Sequence, residues 1–405
     1  MLLLLSTSVE AFNLAAKPLL PRASVPAAVR LANVRLDGLT PTGESLLDTT
    51  EKFDAIAAGA ALAGSAAAAL GKDPESCDPY DPKSSEYCMP DEPETASGMQ
   101  RQLKLGILFF LWYFLNTAYN IGNKLVLTAF PMPWTAATWE LFFGFPYVFI
   151  LWTSGLRKTP KLSFDSIKLL APSGVLLAAT HVGGVISFGL GAISFTHVLK
   201  ATEPVWSALL SAVFFKEFLP LPVYASLVPI MLGVSLASLK ELSFSWMSFV
   251  AGTGSAVTSA AKAILSKKVL DGKPLGENLT PANMFAILSI LGFCAILPVA
   301  LVIEPPKAAL AAWSAALAKG YTNLQLVRLL GVSGFLYYIY NEVAFLALSE
   351  VAPVTHAVTN TVKRVVIILA SIIVFKTSIT PLGALGSGIT ISGALLYALA
   401  KQKYK

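Results

Sequence analysis

From residue 103 to the C-terminus the chain is a succession of apolar runs with short polar punctuation. Ten runs are legible: 103–127, 134–154, 167–190, 193–215, 221–239, 244–265, 282–303, 326–348, 354–375 and 379–400. Each is near the roughly 20 residues an α-helix needs to cross about 30 Å of hydrocarbon. Lipid offers backbone groups no partner, so such runs are predicted to be helices. The ten-residue alternation of a membrane β-barrel is missing. Frequent Gly, Ala, Ser and Thr suit close helix packing. Runs three and four are almost continuous, parted by Gly189-Leu190-Gly191.

The pattern repeats. Phe214-Phe215-Lys216 with Leu219-Pro220-Leu221 returns as Val374-Phe375-Lys376 with Thr380-Pro381-Leu382, and Thr196-His197 returns as Thr355-His356. The offset is about 160 residues, so each half holds five helices. An odd number turns the second half upside down. The predicted fold is therefore an all-α membrane protein of ten transmembrane helices in two inverted five-helix repeats. The repeats span about 103–239 and 244–400 of a domain at 100–405. Inverted repeats mark secondary transporters, which bind substrate between the halves near the midplane. Loop charge is lopsided. Arg101, Lys104, Arg157, Lys158, Lys161, Lys216, Lys267, Lys268, Lys273, Lys401 and Lys403 lie on the side of the N-terminus; Lys240, Lys307, Lys319, Arg328 and Lys376 lie on the other. The positive-inside rule places both termini on the cytoplasm-like side.

Residues 1–99 are read as presequence and linker. Met1–Ala11 carries a leucine run too short to span and a cleavage pattern after Ala11. Lys17, Arg22, Arg30 and Arg35 follow, with no acidic residue between Phe12 and Leu36. That is transit-peptide composition. The junction at Ala11-Phe12 resembles the bipartite presequences of algae with complex, red-derived plastids. Ala55–Leu70 is low in complexity, and Asp73–Ser97 is a Pro-, Asp-, Glu- and Ser-rich linker.

Composition narrows the class. Of 405 residues 55% are hydrophobic and 13% charged, against about 25% charged in soluble domains. The net charge of +6 is not gathered into a basic face, so nucleic acid is not an expected partner. Cys77, Cys88 and Cys294 lack metal-ligand spacing, and no metal or other cofactor is expected. Expected partners are membrane lipid and a small anion.

The candidate chemistry lies in charges inside the apolar runs. Lys200 falls in run four, and Lys363 and Arg364 fall in run nine, the fourth helix of each half. A basic residue at mid-membrane costs roughly 2.5–3.5 kcal/mol on insertion scales. Glu203 and Glu342 are embedded too and are candidates to neutralise two of the three, so an internal salt-bridge network is one reading. The other is an anion site, at one depth by virtue of the repeat. Arg grips two phosphate oxygens in a fork and Lys supplies a mobile charge.

Three segments carry a resemblance: Ser194–Pro204 (SFTHVLKATEP), Tyr340-Asn341-Glu342, and Pro353–Arg364 (PVTHAVTNTVKR). With Ser266-Lys267-Lys268 and Glu241-Leu242-Ser243-Phe244 they resemble the plastid triose-phosphate/phosphate translocator family of the drug/metabolite transporter superfamily, over about residues 103–400. The resemblance implies exchange of inorganic phosphate for phosphorylated C3, C5 or C6 compounds across a plastid envelope membrane, with both termini in the stroma. It implies that Lys200, Lys363, Arg364 and Tyr340 bind the phosphoryl group and that His181 faces the carbon part. His356 is similar to the triose-phosphate branch, which points to triose phosphate or 3-phosphoglycerate. The chain departs from the pattern at Gly184, where a polar residue is frequent. It departs again at Ser259 and Lys262, where an aromatic and an arginine are frequent. This altered wall leaves phosphoenolpyruvate, pentose phosphates and hexose phosphates open. Lys124 and Glu140 are expected as gates, vestibule residues or a structural pair, and Glu203 and Glu342 are counted with them. A nucleotide-sugar transporter of the same superfamily is the rival reading. A membrane transferase would need a base or nucleophile set, and no such constellation meets the geometric requirements.

Overall fold

The computed structural model describes residues 96–404, except 240, 243, 271–274, 350, 352 and 378. The expected presequence, Cys77, Cys88 and the His356 side chain lie outside the described residues and side chains.

Among the described residues the chain is helical but for one two-stranded ribbon. In chain order the helices are α1 (Ala96–Ala129), α2 (Pro133–Thr153), α3 (Phe164–Leu190), α4 (Ile193–Lys200), α5 (Glu203–Phe215), α6 (Leu221–Ala225), α7 (Leu227–Leu239), α8 (Trp246–Leu270), α9 (Pro281–Ile303), α10 (Pro306–Ala318), α11 (Asn323–Ser349), α12 (Pro353–Phe375) and α13 (Pro381–Lys403). Strands β1 (Lys161–Leu162) and β2 (Gly276–Glu277) pair antiparallel, Lys161 opposite Glu277. They tie the α2–α3 loop to the α8–α9 loop.

Among the described residues seven helical segments are long and apolar enough to cross a membrane: Leu103–Ala129, Phe164–Leu190, Leu221–Leu239, Pro281–Ile303, Asn323–Ala347, Val358–Phe375 and Pro381–Lys403. The other three expected runs, 134–154, 193–215 and 244–265, fall on α2, on α4 with α5, and on α8. Large apolar side chains point outward along the helices, including Phe110 (68% exposed), Phe149 (65%) and Val302 (81%). Such a surface suits lipid rather than water.

Local chemistry sets the helix ends. Thr280 and Thr380 cap α9 and α13 by accepting from the N–H groups of Asn283 and Gly383, each with a proline in the first turn. Lys216 and Lys376, each just past a helix end, both adopt left-handed backbone, φ 55° and 49°. Run four is not one helix. Pro204 has no N–H for the carbonyl of Lys200 four residues earlier, so the helix breaks between α4 and α5. The helix α10 lies between the runs 282–303 and 326–348, where the apolar pattern predicts no element.

The main core joins α1, α2, α3, α9 and α11 around Leu115, Leu141, Phe285 and Leu336, all fully buried. On the far side α7 and α13 meet backbone to backbone. A Cβ on Gly233 would lie 2.5 Å from Thr390 N, and one on Gly386 2.5 Å from Ala237 N. Only glycine allows that approach.

Candidate functional site

Four basic side chains converge from three helices. Lys200 ends α4, Lys262 comes from α8, and Lys363 and Arg364 come from the middle of α12. All four are half-buried and within electrostatic reach of one another. Glu203, the first residue of α5, sits among them. Its Oε2 lies 2.9 Å from Arg364 Nη2, and its Oε1 accepts from Ser259 Oγ at 2.8 Å. The break at Pro204 places Lys200 and Glu203 on either side of one turn, so the cation and the carboxylate reach the same space. One carboxylate among four cations leaves a net positive charge. Buried charge of one sign is unfavourable without a counter-ion, and Glu203 is the carboxylate paired within this cluster among the described residues.

Its ammonium groups rest on aromatic faces and on a glycine. Lys363 Nζ lies 4.6 Å from the Trp112 ring centroid, and Lys200 Nζ lies 5.2 Å from that of Phe188. Ring faces attract cations without neutralising them. Lys200 Nζ occupies the space that a side chain at position 184 would take.

A second cluster adjoins the first. His181 stands one helical turn before Gly184 on α3. Its Nε2 lies 2.9 Å from Glu140 Oε2, off the line of a hydrogen bond. Glu140, 1% exposed, also accepts from Asn123 Nδ2, Ser333 Oγ and Tyr119 Oη. The His181 ring lies 4.0 Å from that of Tyr337, and the Tyr119 ring 5.0 Å from that of Tyr340. Tyr340 thus belongs to this aromatic cluster.

The remaining expected residues lie elsewhere. Glu342 pairs with none of the three basic residues it was expected to neutralise. It is gripped by Arg157 of the α2–α3 loop, through Nη2 to Oε1 at 2.5 Å and Nη1 to Oε2 at 3.2 Å. Burial opposes the charge on Arg157, but the Glu342 carboxylate prevails and raises its pKa. Lys124 and Glu140 do not bond to each other. Lys124 Nζ donates to the carbonyls of Phe188 and Gly191, at 2.6 and 2.9 Å, and so caps the C-terminal end of α3.

Sequence reasoning missed Trp112, Tyr119, Asn123, Ser333 and Arg157. A signal existed for some of them. Asn116, Asn120 and Asn123 recur at helical spacing in run one, and a polar stripe in a membrane helix faces protein. Asn120 Oδ1 lies 3.1 Å from His197 Nε2, which ties α1 to α4. Among the described residues no group of three His, Cys, Asp or Glu is placed to hold a metal.

Residues 103–398 match the family model described as the Triose-phosphate Transporter family. The chain is 38% identical over 308 residues to glucose-6-phosphate/phosphate translocator 1 of Arabidopsis thaliana, covering 76% of this chain and 78% of that protein. It is 39% identical over 327 residues to phosphoenolpyruvate/phosphate translocator 3 of Oryza sativa subsp. japonica, covering 77% and 79%. It is 37% identical over 301 residues to the triose phosphate/phosphate translocator of Brassica oleracea var. botrytis, covering 74% and 72%. All three relatives are chloroplastic by name.

Proposed function

We propose an exchange function from a premise that the family match establishes: the chain belongs to the Triose-phosphate Transporter family. In this reading it is an antiporter, not an enzyme. It exchanges inorganic phosphate for a phosphorylated C3 metabolite, triose phosphate or 3-phosphoglycerate, across a plastid envelope membrane. The observation that carries it is the convergence of Lys200, Lys262, Lys363 and Arg364 around the single carboxylate of Glu203. A dianionic phosphate suits that excess of charge better than a carboxylate does.

Ten membrane helices in two inverted halves would put this cluster midway between two gates. Repeated packing supports the arrangement: α3 packs on α8 and α9 as α11 packs on α1 and α2, and α7 pairs with α13. The left-handed residues Lys216 and Lys376, about 160 positions apart, also support it.

The charge dictates the exchange. Closing both gates over uncompensated cations is unfavourable. Phosphate neutralises them and permits closure, and a second anion must bind before the return. Lys200, Lys363 and Arg364 hold the phosphoryl oxygens, and Tyr340 lends its hydroxyl. His181, with the wall at Gly184, Ser259 and Lys262, faces the carbon part. Glu203 is displaced from Arg364 as phosphate enters.

The C3 preference rests on the family pattern around His356. The relatives' names include glucose 6-phosphate, phosphoenolpyruvate and triose phosphate at similar identity, so identity does not choose among them. The altered wall favours testing phosphoenolpyruvate and pentose phosphates beside the C3 substrates. A plastid location agrees with the relatives' names, and a complex, red-derived plastid follows from the reading of Ala11-Phe12. The test is uptake of labelled phosphate into proteoliposomes loaded with each compound in turn. Uptake with a loaded phosphorylated C3 compound and none into unloaded vesicles is expected. Equal uptake into unloaded vesicles would refute exchange. No uptake with any phosphorylated counter-substrate, by folded protein, would bring the nucleotide-sugar reading forward.

A further inference from the structure

Glu140 is the most deeply buried carboxylate in the described chain, set in α2 beside the cation cluster but not part of it. A buried carboxylate persists where its lone pairs are satisfied. Asn123 Nδ2 donates to Oε1 at 2.6 Å, Ser333 Oγ to Oε1 at 2.5 Å and Tyr119 Oη to Oε2 at 3.0 Å. These three donors, from α1 and α11, already satisfy it. His181 Nε2, from α3, still stands 2.9 Å from Oε2. The imidazole has this carboxylate beside one edge, off the line of a hydrogen bond, and the tilted Tyr337 ring 4.0 Å from its own. Carboxylate and ring together confine it. The other ring nitrogen, Nδ1, takes no partner among the described residues and is not among the sealed polar atoms.

The two clusters give the interior a direction. Cations gather beside Gly184, and one turn further along α3 stand His181 and the tyrosines, backed by a negative charge. A phosphoryl group is drawn to the first and repelled by the second. Whatever is bonded to the phosphorus must then extend toward His181.

Resting on the phosphate-exchange reading, we propose that Glu140 is a positioning residue for the carbon part of the substrate: it turns His181 Nε2 inward, presents Nδ1 to the substrate, and through Tyr119 steadies the Tyr340 ring. Glu140 itself touches no substrate. A group that orients a binding imidazole from behind is a recurrent device in protein sites. Inorganic phosphate has no carbon part and is the internal comparison.

The full chain in proteoliposomes tests this with two exchanges, phosphate against phosphate and phosphate against triose phosphate, whose carbon part is uncharged. In Glu140→Gln the KM for triose phosphate should rise about tenfold more than the KM for phosphate. His181→Asn should shift the same ratio, and the double variant should shift it no further than either single. Glu140→Asp, which keeps the charge, should recover part of the ratio. Should Glu140→Gln not assemble, Glu140→Asp and His181→Asn carry the test, with the ratio shifted less in the first than in the second. Equal loss of both exchanges in every folded variant would make Glu140 a packing residue and overturn the proposal. So would shifts that multiply in the double variant. Absence of phosphate exchange in the wild-type chain would instead strike the phosphate-exchange reading itself.

Discussion

Lys200 Nζ rests where a side chain at Gly184 would begin: a Cβ built on that glycine would lie 2.5 Å from it. The ammonium is the far end of a flexible side chain, so a larger residue at 184 moves the lysine before it disturbs the helices. Gly184→Ala should leave the thermal unfolding midpoint in detergent nearly unchanged. It should still raise the KM for phosphate several-fold, by displacing one charge-assisted contact of about 1.5–3 kcal/mol. An unchanged KM would mean that Lys200 meets phosphate from another position.

Two of the basic residues expected at the phosphate, Lys200 and Arg364, should each carry a large share of the exchange. Lys200→Ala and Arg364→Ala should each lower phosphate exchange by roughly 10- to 100-fold, the factor equivalent to about 1.5–3 kcal/mol. Arg364→Lys should not restore the rate, because an ammonium has no planar fork to offer two oxygens. Initial rates of phosphate homo-exchange check this.

Glu203 holds Arg364 at 2.9 Å and stands among the lysines as well. Incoming phosphate must compete with it. Glu203→Gln should therefore lower the KM for phosphate and slow turnover, since release then lacks the carboxylate that reclaims Arg364. A rise in KM would make Glu203 a helper in binding rather than a competitor. Saturation curves for the two proteins distinguish these outcomes.

Arg157 and Glu342 form a forked pair 16% and 6% exposed, joining the α2–α3 loop to α11. Removing one partner of a buried pair costs about 3–5 kcal/mol, because the other charge is left unpaired. Partial exposure of Arg157 reduces that to roughly 2–3 kcal/mol. Arg157→Ala should lower the unfolding midpoint, and adding Glu342→Gln should recover part of the loss. A thermal-shift double-mutant cycle measures the coupling.

The helices were legible because hydrocarbon imposes its thickness on each apolar run. Run one is a case in point: 103–127 falls within α1. The break at Pro204 was less so, since proline is also found within intact helices here, at Pro146, Pro172 and Pro298. The helix α10 escaped because it is short and alanine-rich, and it belongs to no span. At the site, Lys200, Lys363 and Arg364 announced themselves as charges in apolar runs. Lys262 entered through the family pattern. The partner of Glu342 could not be foreseen, because Arg157 sits in a loop among other basic residues and nothing in spacing singles it out. Nor did any pattern reveal that Glu140 accepts hydrogen bonds from two other helices and meets His181 of a third, since that depends on how the helices pack rather than on their order.

Lys363 reaches the interior from the middle of α12 and lies against the Trp112 ring, with no ion pair among the described residues. The most direct measurement is counter-exchange of labelled phosphate by proteoliposomes holding phosphate inside, for the wild-type chain and for folded Lys363→Ala. Rapid exchange by the wild type and a loss of about 10-fold or more in the variant is the predicted result. Equal exchange by the two proteins would contradict it and move the phosphate site away from the cation cluster.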